Sequence, residues 1–143
     1  MVHRYFMVLC LSVICASSAF AEDVVVVVNQ KNSVSKLSRD EVIDVFMGRN
    51  RLLSSGITAT PLDLPSTAVE REIFYFRLTG KSMSQINAYW ARLILTGRAS
   101  PPTLMRSQDE VMQMVTDNRS AVGYVSRSKS SSQVKTVFEL NEK

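Results

Sequence analysis

The sequence predicts a single α/β domain of three layers, αβα, and three observations carry that expectation. An uninterrupted β-branched run, Val24 to Val28, has the composition of a strand covered on both faces, as in a parallel or mixed sheet. Segments with apolar residues at helical spacing, several opened by Ser/Thr-x-x-Glu capping boxes, separate that run from later short apolar ones. No internal repeat or long linker divides the 143 residues, a length that suits one domain.

The elements follow in the order β-α-β-α-α-α-β-β. The first strand, Asp23 to Asn29, is broken by Lys31-Asn32-Ser33, and Ser38 with Glu41 then caps a helix that buries Val42, Val45 and Phe46 and stops at Gly48. A polar, basic loop leads to Ile57–Thr60, a strand that Leu62-Asp63-Leu64 extends past Pro61. Pro65-Ser66-Thr67 makes a turn. Thr67 with Glu70 is expected to cap the second helix, through about Leu78, with Val69, Ile73 and Phe76 on its apolar face and Glu70, Arg71 and Arg77 off it. After Gly80-Lys81-Ser82, the residues Ile86, Tyr89, Trp90, Leu93 and Ile94 recur at helical spacing up to Thr96, which makes Trp90 a core residue. Pro101-Pro102 enforces an extended connection. Ser107 and Glu110 open a fourth helix with Val111, Met112 and Val115 inward, and two strands, Ala121–Val125 and Val134–Leu140, flank a serine-rich loop.

The N-terminal segment has Arg4, an apolar run from Tyr5 to Ala16 and small residues ending in Ala19-Phe20-Ala21. It reads as a signal peptide over residues 1–21, cleaved before Glu22, leaving a periplasmic domain over 22–143 with no stable membrane insertion. His3, Cys10 and Cys15 all lie in that segment, so the rest of the chain has no histidine and no cysteine. A thiol nucleophile, a Ser-His-Asp triad and an imidazole or thiolate zinc site are thereby excluded, and neither an enzyme nor a cofactor or metal protein is expected. Losing residues 1–21 removes one of 17 basic residues and none of the 13 acidic ones, leaving a net charge of +3. The basic residues are dispersed, which argues against nucleic acid and for a small anion as partner.

The most informative stretch runs from Asp63 to Arg71, where Ser66 and Thr67 place two hydroxyls and free N–H groups at a strand-to-helix junction. Such a junction suits phosphate or sulfate, although capping is the commoner use of Ser and Thr there. Arg98 and Arg106, flanking Pro101-Pro102, are the basic side chains that could line an anion site, or simply stand in solvent. Asp109 and Glu110 are explained as favourable charges in a first helical turn.

Several motifs in register then acquire a common meaning. They are Val26-Val27-Val28-Asn29 with Lys31-Asn32, Leu37-Ser38-Arg39-Asp40-Glu41 leading to Val45-Phe46-Met47-Gly48, Pro61-Leu62-Asp63, Trp90, Gly97, and Ser120-Ala121-Val122-Gly123-Tyr124-Val125. In this order, over about residues 24–138, the chain resembles the substrate-binding proteins of phosphate ABC transporters. The resemblance implies one lobe of the type II periplasmic-binding-protein fold, phosphate or a related oxyanion as ligand, and an ABC permease or a sensor protein as partner. It carries Ser66 and Thr67 over as oxyanion donors and Asp63 as acceptor from a protonated phosphate oxygen, with Arg98 and Arg106 as secondary contributors. The family's segment also holds an arginine and a Ser-Gly-Thr turn, whereas Pro61 to Ala68 has no arginine and no glycine. A ligand-free structural, interaction or sensory module on the same lobe is the alternative.

Overall fold

The computed structural model describes residues 22–141. In chain order its elements are β1 (Val24–Asn29), α1 (Arg39–Phe46), β2 (Thr60–Asp63), α2 (Val69–Thr79), α3 (Met83–Leu95), β3 (Thr103–Leu104), α4 (Gln108–Asp117), β4 (Ala121–Ser126), a 3-10 turn at Arg127–Lys129 and β5 (Val134–Leu140). The signal peptide and its cleavage point after Ala21 lie outside the described residues.

The valine run is the centre of the molecule. All of β1 is buried, and it runs antiparallel to both its neighbours, β4 on one side and β5 on the other. The sheet has five strands in the order β3-β2-β4-β1-β5, with β2 parallel to β3 and β4. It is therefore mixed. The two-residue β3 is the one strand the sequence reading lacks, because Thr103-Leu104 is too short to show alternation after Pro101-Pro102.

Adjacent residues of β4 define the two faces, since successive side chains in a strand point oppositely. A Cβ at Gly123 would lie 2.5 Å from a Val111 methyl, so α4 rests directly on that face. On the other face, Tyr124 stacks on Phe74 at 3.9 Å between ring centroids and meets Phe46 and Tyr75 edge-on. Helix α2 thus joins α1 against the sheet, and α3 packs on α2. The result is the expected αβα layering.

Asn29 closes the end of β1 on α4. Its Nδ2 donates to the carbonyls of Val115 and Thr116, both at 2.9 Å, and its Oδ1 accepts from the N–H of Lys31. The last-turn carbonyls of α4 are satisfied by a strand residue distant in sequence.

Three local expectations are corrected. Of the apolar face assigned to α2, Val69 and Phe76 are turned to solvent at 64% and 60% exposure and Ile73 is half-buried against the core, while Phe74, Tyr75 and Leu78 on the opposite side are buried. Both sets have helical spacing, and ring packing against Tyr124 selects the second. Thr67 does not cap α2: the N-cap position is Ala68, which makes no side-chain cap bond. Ile94 is exposed, although Ile86 and Trp90 of the same helix are buried as expected.

The other caps are informative by comparison. Ser38 and Glu41 form the full predicted box, whereas Ser107 accepts from Glu110 N–H but the Glu110 carboxylate turns to the N–H of Arg106 instead. A box at Ser82 and Gln85 starts α3. Gly80 ends α2 in the left-handed region, φ +72°. Among the described residues, no helix is long and apolar enough to cross a membrane.

Candidate functional site

Strand β2 ends at Asp63 between two parallel neighbours, and the chain then turns through Leu64–Thr67 into α2. The carboxyl ends of parallel strands are where α/β folds commonly place ligands. A cleft of about 320 Å³ opens there, lined by Asp63, Ser66, Arg71, Asn87, Pro102 and Leu104 among others. Ala68 has no side chain able to cap, and among the described residues no side chain accepts from the first-turn N–H groups of α2, of which that of Arg71 donates to the Ala68 carbonyl at 3.2 Å.

Asp63 forms the floor, only 6% exposed. Its Oδ1 accepts from the Tyr124 hydroxyl and, at 2.9 Å, from the Leu64 N–H; its Oδ2 accepts from the Tyr75 hydroxyl at 2.9 Å and Arg71 Nε at 3.3 Å. A buried carboxylate needs such donors to offset lost hydration. Burial, and then the nearby Asp63 charge, push both phenols well above their ordinary pKa, so the two tyrosines are neutral donors.

The sequence-derived candidates divide between this cleft and the solvent. Asp63 and Ser66 line it together. Thr67 is exposed on the same turn, next to Ser66. Arg98 is exposed in the loop after α3 and is not among the lining residues. The Arg106 side chain is 92% exposed and pairs with Glu110 at 3.2 Å. The Arg106 backbone N–H, in turn, holds the Glu110 carboxyl below the usual range. Tyr89 donates to the Met47 carbonyl at 2.6 Å, and Trp90 is 6% exposed beside Gly48, so neither forms a stacking platform at the cleft.

Sequence reasoning missed Arg71, Asn87, Tyr75 and Tyr124. For Arg71 a signal existed: Arg71, Phe74, Tyr75 and Leu78 stand at i, i+3, i+4 and i+7, a stripe whose first member is a cation. Its side chain is only 11% exposed. Among the described residues, no group of three or more His, Cys, Asp or Glu side chains is placed to hold a metal ion.

No family model and no curated sequence matches the chain. Solved structures do. An ABC-type phosphate transport receptor from Vibrio cholerae aligns over 81% of this chain and 45% of its own, at 18% identity and a TM-score of 0.64. A protein from Clostridium perfringens, described as a phosphate ABC transporter substrate-binding protein with bound phosphate, aligns over 81% and 44% at 14% identity and 0.65. PstS from Borrelia burgdorferi follows, over 81% and 46%, at 7% identity and 0.55. The chain has the fold of one periplasmic-binding-protein lobe. The lobe spans less than half the length of those receptors. Its cleft lies at the β2-to-α2 turn.

Proposed function

We propose that the lobe binds phosphate or a related oxyanion in the periplasm, without transforming it, and takes part in phosphate uptake. The observation that carries this reading is the uncapped start of α2 beside a cleft lined by Ser66 and Arg71. An oxyanion seated there would accept from first-turn N–H groups and the Ser66 and Thr67 hydroxyls, and the helix dipole would add about 0.3–1 kcal/mol. The fold neighbours favour the same ligand, since the Clostridium perfringens protein holds phosphate. Export through a signal peptide over residues 1–21 and an ABC permease or sensor as partner belong to the same proposal. Both Asp63 oxygens already accept from protein donors. Asp63 therefore serves as the frame of the site, and accepting from a protonated phosphate oxygen would require displacing one donor. Arg98 and Arg106 contribute at most from outside the cleft.

Thermal unfolding with and without phosphate tests the proposal. Phosphate at about a hundredfold excess over Kd should add about 2.7 kcal/mol, a rise on the order of 10 °C in Tm for a domain near this size. Ser66→Ala with Thr67→Ala should shrink that increment. An increment equal to that from sulfate at the same ionic strength would broaden the ligand to oxyanions in general. No increment at millimolar phosphate would refute the reading. An interaction or sensory module would then be preferred, a second reading favoured by the exposed α2 stripe of Val69 and Phe76.

A further inference from the structure

We propose that Arg71 is the cationic anchor of this cleft and that Asp63 is its positioning residue, an inference that rests on the phosphate reading above. A carboxylate offers about four lone-pair sites. At Asp63 the Tyr75 and Tyr124 hydroxyls and the Leu64 N–H take three, and Arg71 Nε faces both oxygens, 3.3 Å from each, longer than the 2.9 Å contacts of Tyr75 and Leu64. Neutral donors thus meet most of the carboxylate's hydrogen-bonding capacity. The contact with Arg71 is an ion pair between side chains 11% and 9% exposed, made through Nε, and it orients the guanidinium.

The remaining restraints act in the same direction. The guanidinium carbon is 5.4 Å from the centroid of the Tyr75 ring, and Nη1 is 3.3 Å from the Met83 sulfur, a weak acceptor. These contacts use Nε and Nη1, and among the described residues none uses Nη2. Arg71 lines the cleft together with Ser66 and Asn87. A planar donor fork held by packing before the ligand arrives loses little rotamer freedom on binding, and its geometry matches the oxygens of a tetrahedral oxyanion.

Calorimetric titration of the protein with inorganic phosphate, for wild type, Arg71→Met and Arg71→Lys, tests the assignment. Arg71→Met should weaken Kd on the order of 10- to 100-fold, the loss expected for a charge-assisted hydrogen bond. Arg71→Lys should recover part of it, because an ammonium keeps the charge and loses the fork. A purely structural Arg71 would lower the unliganded Tm and leave Kd unchanged. In wild type, the Nε–Hε NMR resonance of Arg71 should move with phosphate and stay fixed with chloride at equal ionic strength. If wild type binds and Arg71→Met binds equally well, the Arg71 assignment is overturned and the phosphate reading stands. If wild type binds nothing, both fall. Should Arg71→Met not fold, the resonance decides, and a signal unmoved while phosphate binds would overturn the assignment.

Discussion

The chemistry of single side chains is most concentrated around Asp63, where two phenols are kept neutral. Their pKa values are raised in the folded protein, first by burial and then by Asp63, while in the unfolded chain a phenol ionises near about pH 10. Above that pH the native state retains protons that the unfolded chain has released. The stability contributed by the neutral phenols is therefore complete below about pH 10 and is lost as pH rises toward the folded values. Tyr75→Phe should cost about 1–3 kcal/mol near neutrality, by leaving an Asp63 oxygen short of a donor, and should flatten the alkaline decline. Denaturant midpoints at pH 8 and pH 11 for both proteins check this; parallel declines would show that the phenols do not titrate with folding. At this scale Asp63 and Ser66 were legible as members of a strand-to-helix turn, because such a turn announces itself in composition, and the cleft opens beside them. Arg71 was read off the apolar face because of its charge; its place at the head of the Phe74, Tyr75 and Leu78 stripe was the available signal, and the contact with Asp63, eight positions earlier, holds it inside.

Helix α2 shows where periodicity stops being sufficient. Two opposite stripes share the spacing of one helix, and the outcome depended on Tyr124, a partner from β4 that no local window contains. Phe74→Ala should thus cost about 3–5 kcal/mol, while Phe76→Ser on the solvent face should stay within about 0.5 kcal/mol of wild type. Urea unfolding of the two variants distinguishes the faces, and equal losses would return Phe76 to the core. Helix starts were more legible than helix faces. Ser38 with Glu41 is a local signal and formed as read, and Ser82 with Gln85 carried the same pattern in a segment read as the end of the preceding helix. The Thr67 signal misled because the Pro65 turn shifts the helix start by one residue to Ala68, with the Ala68 N–H bonded to the Pro65 carbonyl.

At the scale of the molecule, the layering was legible and the strand order was not. A run of five valines says that β1 is covered on both faces; it does not say which strands flank it. Those flanks are β4 and β5, both from the last quarter of the chain, so removing residues 134–141 should expose one edge of β1 along its whole length. Such a truncated chain is expected to lose cooperative unfolding, as judged by circular dichroism against urea. A sharp transition at the wild-type midpoint would show that β5 is dispensable. The same pairing has a consequence in time. During synthesis β1 is followed by α1, β2, α2, α3, β3 and α4 before either strand that hydrogen-bonds to it is made. A strongly apolar strand therefore waits unpartnered while those elements are made, and the centre of the sheet can close only once β4 and β5 are available.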